Sequence, residues 1–155
     1  MKKFTFTLEK VLNLKNQFHE VKKTELAQLR LELIKVQDAI AEKQEEFKRQ
    51  NEKMNELMRQ GTTPENINTY KIYFVVLNEE EKRLRLEEAD VNRRIEAKQQ
   101  EIIDIKKEIS GLEKLKEKQL DEYNAAAAKE QERQIEEFLS EKLSSAETAL
   151  DIKPL

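Results

Sequence analysis

The sequence predicts an all-α protein: two long helices forming an antiparallel coiled-coil hairpin, with helix two overhanging. Three observations carry this. Charged residues make up 39% of the 155 and outnumber apolar ones at 37%, against roughly 25% and 45–50% in ordinary globular chains. That balance excludes a compact domain with a thick core. Only 2 Gly and 2 Pro are present, so few turns can be built and each element must be long. A sheet, which needs turn chemistry at every hairpin, is disfavoured for the same reason. Finally, Leu, Ile and Val recur at heptad spacing, which separates this chain from a disordered one of similar charge.

Helix one is expected over about residues 5–60. Its seam reads Leu26, Leu33, Ile40, Phe47 and Met54 every seven residues, with Leu29, Val36 and Leu57 three later. Upstream, Phe4, Val11 and Phe18 with Leu14 and Val21 form a block offset by one residue. Such a slip relaxes the supercoil without breaking the helix.

The turn is expected at 61–63. Gly61 suits the position just past a helix end, Thr63 can cap the next helix, and Pro64 fits its first position with Glu65 behind it. Gly111 lacks such neighbours, keeps helical spacing around it, and reads as a tolerated interior glycine.

Helix two is expected over about 64–143. Ile67, Phe74, Glu81, Glu88, Ile95, Ile102, Ile109, Lys116 and Tyr123 fall every seven residues. Tyr70, Leu77, Leu84, Val91, Lys98, Ile105, Leu112 and Gln119 follow three later. The polar seam positions Lys43, Gln50, Glu81, Glu88 and Lys98 weaken the seam and fix its register.

A short turn makes the helices antiparallel neighbours, and facing residue numbers then add to about 124. Leu57 meets Ile67, Phe47 meets Leu77, Ile40 meets Leu84, Leu29 meets Ile95, and Leu14 meets Ile109. Phe4 lands near Leu120. Residues beyond about 121 then have no partner within the chain. Their stretch Ile135, Phe138, Leu139 and Leu143 forms an apolar stripe at helical spacing that wants a groove to enter. From 144 to 155 the composition turns small and polar, and a frayed or disordered tail is expected.

Charge and composition exclude several functions. The net charge of −3 comes from interleaved signs with no basic face, which argues against nucleic acid. The absence of cysteine removes disulfides and thiolate metal sites and is compatible with a reducing cytosol. The longest apolar run, Ile72 to Leu77, is far short of the ~20 residues that span a bilayer, so no direct membrane insertion is expected. The opening residues lack the apolar core of a signal peptide. His19, the single histidine, sits beside Phe18 and Glu20 and reads as a helix-surface residue. No catalytic, cofactor-binding or metal residues are expected, because an extended coil closes no dry cleft around its carboxylates.

Two further features stand out. In Glu79-Glu80-Glu81-Lys82-Arg83-Leu84-Arg85, the Glu79–Arg83 and Glu81–Arg85 spacings read as i,i+4 ion pairs on a solvated face. Ile72, Tyr73, Val75 and Val76 lie off the seam and form an exposed apolar patch, a candidate interaction surface.

The opening Phe4-Thr5-Phe6-Thr7-Leu8-Glu9-Lys10-Val11-Leu12, with Lys23-Thr24-Glu25-Leu26-Ala27 downstream, resembles the start of the flagellar FliJ family. Tyr123 and Lys129-Glu130-Gln131-Glu132-Arg133-Gln134-Ile135-Glu136-Glu137-Phe138 resemble the family's Glu/Gln-rich C-terminal block, with Glu136-Glu137 where the family often carries Asp-Glu. The resemblance implies a non-enzymatic component of flagellar type III export. It implies a coiled-coil stalk that binds the hexameric export ATPase, promotes ring assembly and ATP hydrolysis, and contacts the export gate membrane protein and export chaperones. Phe4, Phe6, Leu8, Val11, Tyr123, Ile135 and Phe138 would then engage the ATPase, and Ile72, Tyr73 and Val76 the gate. The free chain is expected to be a monomer, cytoplasmic, and peripherally associated with the inner-membrane export apparatus. The alternatives are the equivalent stalk of a virulence-type secretion system, or a purely structural coiled-coil rod.

Overall fold

The computed structural model describes residues 2–151. Two long helices pack against each other: α1, Glu9–Gln60, and α2, Pro64–Asp151. With 52 and 88 residues, α2 is the longer.

The turn forms as its residues dictate. Arg59 in the last turn of α1 complements the negative end of the helix dipole. Gly61 then takes a φ of 93°, a left-handed conformation that costs side-chain-bearing residues energy. The hydroxyl of Thr63 accepts the amide N–H of Asn66 at 3.3 Å, capping α2 with Pro64 in its first position. Gly111 stays inside α2, as expected. α1 begins at Glu9 rather than near residue 5: Lys2–Phe6 is irregular, Phe6 is buried, and the Glu9 amide bonds to the Phe6 carbonyl in the turn that leads into the helix. α2 runs on to Asp151, past the expected end at 143; the rest of the expected tail, 152–155, lies outside the described residues.

The chain divides into two units. The hairpin unit holds residues 17–106. Its helices are antiparallel: Lys22 pairs with Glu101 at 3.1 Å, Glu25 with Lys98 at 2.6 Å, and Lys43 with Glu80 at 2.7 Å. The residue numbers of these pairs add to about 124, the register a short turn imposes. The core of this unit is Leu26, Val91, Ile95 and Ile102, with Leu29 and Leu33 packed on it. Ile40, Leu77 and Leu84 are buried further toward the turn, where the rings of Phe47 and Phe74 stand 4.7 Å apart. Burying a Leu or Ile side chain contributes roughly 1.5–3 kcal/mol, so this single seam supplies most of the apolar stabilisation.

Among the described residues, the terminal unit holds 2–16 with 107–151. Glu9 pairs with Lys116 at 2.9 Å and Lys15 with Glu108 at 2.6 Å. Leu12 and Ile109 are buried.

The expected one-residue slip upstream in helix one does not occur. Leu14 is 47% exposed, whereas Ile109 is buried; Val11, Phe18 and Val21 are exposed as well. The heptad frame of Leu26 and Leu33 instead continues backward through His19 and Leu12, with Lys15 and Lys22 three residues after them. Lysine makes this possible, since its four-carbon stem covers apolar surface while the ammonium reaches outward. Here those ammoniums reach Glu108 and Glu101. His19 is correspondingly a seam residue with a side chain only 17% exposed, not the surface residue expected.

Candidate partner-binding surfaces

Three apolar surfaces follow from this frame, and the sequence-predicted site residues distribute unequally among them. The first is the start of the chain in the terminal unit. The Phe4 ring lies 5.6 Å from that of Tyr123, three residues beyond Leu120, and the Tyr123 hydroxyl donates to the backbone carbonyl of Lys2. Phe6 is only 7% exposed, and Leu8 is half-buried. Phe4 and Tyr123 are therefore brought together, and the Tyr123 contacts tie the start of the chain to α2. Val11, by contrast, is 41% exposed.

The second surface is α2 beyond Tyr123. Every residue from 131 to 150 is exposed. Ile135, Phe138, Leu139 and Leu143 present their side chains without a cover. The Lys142 ammonium lies 4.9 Å above the Phe138 ring, a weak cation–π contact that leaves the rest of the ring open. Arg133 bridges Glu130 at 2.7 Å and Glu137 at 3.1 Å. The guanidinium hydrogen bond holds the Glu130 carboxyl below its ordinary value and raises Arg133 in return. These local pairs favour the helix where packing cannot.

The third surface belongs to the hairpin unit. Ile72, Val75 and Val76 are exposed on α2. Tyr73 is not equivalent to them. Its hydroxyl donates to Glu46 on α1 at 3.0 Å, and the Gln50 amide donates to the same carboxylate at 3.0 Å. The hydrogen bonds from Gln50, Tyr73 and Arg49 hold Glu46 below its ordinary value; the bond to Glu46 raises Tyr73. Tyr73 thus clamps the two helices at the edge of the patch. Beyond it, Leu86 is exposed and walls a shallow groove floored by Val36 and Val91. Sequence reading missed Leu86 as well as the exposure of Leu14, Phe18 and Val21. The signal was available in the frame of Leu26 and Leu33 carried back toward the N-terminus.

The charged run also resolves differently in part. Glu81 pairs with Arg85 at 2.9 Å as expected, but Glu79 pairs with Lys82 at 3.6 Å and Arg83 with Glu87 at 3.1 Å. Both alternatives lie within the same helix face, where three- and four-residue spacings are interchangeable. Among the described residues, no three acidic or histidine side chains converge as metal ligands, and no helix is long and apolar enough to cross a membrane.

No curated protein and no solved structure matches the chain. A family model described as flagellar FliJ protein matches residues 4–147. That match covers all of α1 and α2 up to residue 147, with the whole heptad pattern, and the chain belongs to the FliJ family, a non-enzymatic component of the flagellar export apparatus.

Proposed function

We propose that this chain is the coiled-coil stalk that binds the hexameric flagellar export ATPase, promotes its ring assembly and stimulates ATP hydrolysis. The observation that carries the reading is the bare apolar stripe of α2, Ile135, Phe138, Leu139 and Leu143. A helical stripe with no cover in its own chain suits a groove or pore in a partner. Val11, exposed on α1, is proposed as a separate contact, while Phe4, Phe6, Leu8 and Tyr123 act at the start of the chain. The patch Ile72, Val75 and Val76 is the proposed contact for the export gate membrane protein, with export chaperones sharing the outer helix faces. The chain would then work in the cytoplasm, peripherally at the inner-membrane export apparatus.

The test is steady-state ATP hydrolysis by the cognate export ATPase with and without this protein. Stimulation saturating at far fewer than one copy per ATPase subunit is expected. Replacing Ile135 and Phe138 by Ser should remove the stimulation while circular dichroism is unchanged. No stimulation and no co-sedimentation would instead leave a structural rod.

A further inference from the structure

We infer that the free chain pairs with a second copy of itself, the bare stripe of α2 in each copy lying against the start of α1 in the other. This concerns the isolated protein and does not depend on the ATPase reading; it departs from the monomer expected from sequence.

The acceptor lies wholly within the terminal unit. Val11 and Leu14 are 41% and 47% exposed on α1, three residues apart. Leu115 on α2 is 37% exposed. Val11 and Leu115 each immediately precede a seam residue, Leu12 and Lys116, so they flank the seam on one side. The Glu9–Lys116 and Lys15–Glu108 ion pairs set them at the same level. Together with Leu14 they form an apolar strip of one to two helical turns. The donor has matching spacing: Ile135 and Phe138 are three residues apart, with Leu139 next to them.

The donor cannot reach its own acceptor. α2 is uninterrupted through Tyr123, where Phe4 and Lys2 meet it, so the stripe continues past the start of its own chain and does not turn back. A second copy approaching from that end offers its Val11 and Leu14, and the exchange is reciprocal. A two-fold pair makes the contact twice.

Charge selects this arrangement over the pairing of two bare stripes. Residues 130–150 carry six glutamates against Arg133 and Lys142. Residues 2–16 carry Lys2, Lys3, Lys10 and Lys15 against Glu9 alone. Stripe against stripe sets acid on acid; stripe against the start of α1 sets acid on base, which favours encounter and fixes orientation.

The experiment uses the full chain, which contains no cysteine. Copies carrying Leu14→Cys are mixed with copies carrying Leu139→Cys and oxidised. Both positions are exposed, so the fold is not at stake. Mixed disulfides are expected to dominate over either homodimer. Sedimentation should show a monomer–dimer equilibrium weakened at least tenfold by Ile135→Ser with Phe138→Ser, and weakened by added salt. A chain that stays monomeric at high concentration would overturn the inference. So would Leu139→Cys copies that crosslink to one another as readily as to Leu14→Cys copies. An unsubstituted chain that stimulates the ATPase yet never dimerises would overturn this inference alone, whereas an Ile135→Ser, Phe138→Ser chain that loses the dimer but keeps the stimulation would overturn the ATPase reading alone.

Discussion

The hairpin unit and the bare end of α2 use the same side chains for opposite ends. In the hairpin unit, Ile95 and Leu84 are buried beneath α1. Beyond residue 130, Ile135, Phe138 and Leu139 repeat a similar spacing and are more than half exposed. Nothing in the residue types separates the two. What separates them is whether another helix lies opposite: with one, an isoleucine stabilises the fold; without one, it is available to a partner.

The largest expected effect tests the stabilising half of that contrast. Ile95→Ala should lower unfolding stability by about 2–5 kcal/mol, as large-to-small core changes do, read by urea denaturation. At a concentration low enough for the chain to be monomeric, Ile135→Ala should leave the denaturation midpoint within error. A large drop for Ile135→Ala would mean that the stripe is packed in the free monomer and would erase the contrast. Next comes the turn. Gly61→Ala must hold φ at 93° and should cost ~1–2 kcal/mol, although space around it is open.

Surface changes should then move binding and not stability. Ile72→Ser with Val76→Ser is expected to reduce affinity for the export gate at least tenfold with an unchanged melting temperature. Tyr73→Phe should behave in the reverse way: a small loss of stability from the missing bond to Glu46 and little change in gate affinity. Equal loss of affinity for Tyr73→Phe would reassign that hydroxyl to the partner.

The smallest effect is electrostatic. Hydrogen bonds from Lys98 and Lys22 hold Glu101 below its ordinary value, and those from Arg85 and Gln44 do the same for Glu81. Carboxyls depressed in the folded state contribute stability that is present above their unfolded value, about 4.3, and lost as pH falls through the folded one. Lys98, raised by its bonds to Glu25 and Glu101, contributes stability present below its unfolded value, about 10.4, and lost as pH rises through the folded one. Melting temperature should therefore be flat across neutral pH and fall below about pH 4.3. All these groups face solvent, so high salt should flatten the acid limb.

The turn, the two helices and their register were legible in the sequence because Gly61, Thr63-Pro64 and the downstream heptads leave few alternatives. The face of α1 near its start was not. An apolar-versus-polar reading selects Val11, Leu14 and Phe18 for the seam and cannot see that lysine stems and an imidazole fill the same positions. Burial decides the matter: Leu12, Lys15, His19 and Lys22 are the covered positions, while Val11, Leu14, Phe18 and Val21 are exposed. The limited availability of Phe6 was hidden for a related reason. It lies in an irregular segment that is tied at Lys2 to Tyr123, far away in sequence. The bare stripe itself was legible, since counting residues from the turn shows where α1 ends.

The lysine–glutamate pairs along the seam give the molecule built-in register marks. Each sets an amine against a carboxylate at amide-forming range: Lys98 and Glu25 at 2.6 Å, Lys43 and Glu80 at 2.7 Å, Lys15 and Glu108 at 2.6 Å. A carbodiimide, which joins such groups without a spacer, would write the alignment of the two helices into covalent bonds. Peptide mass spectrometry could then read that alignment rung by rung inside an assembled export apparatus. A sliding or rotated seam would appear as crosslinks displaced by one heptad.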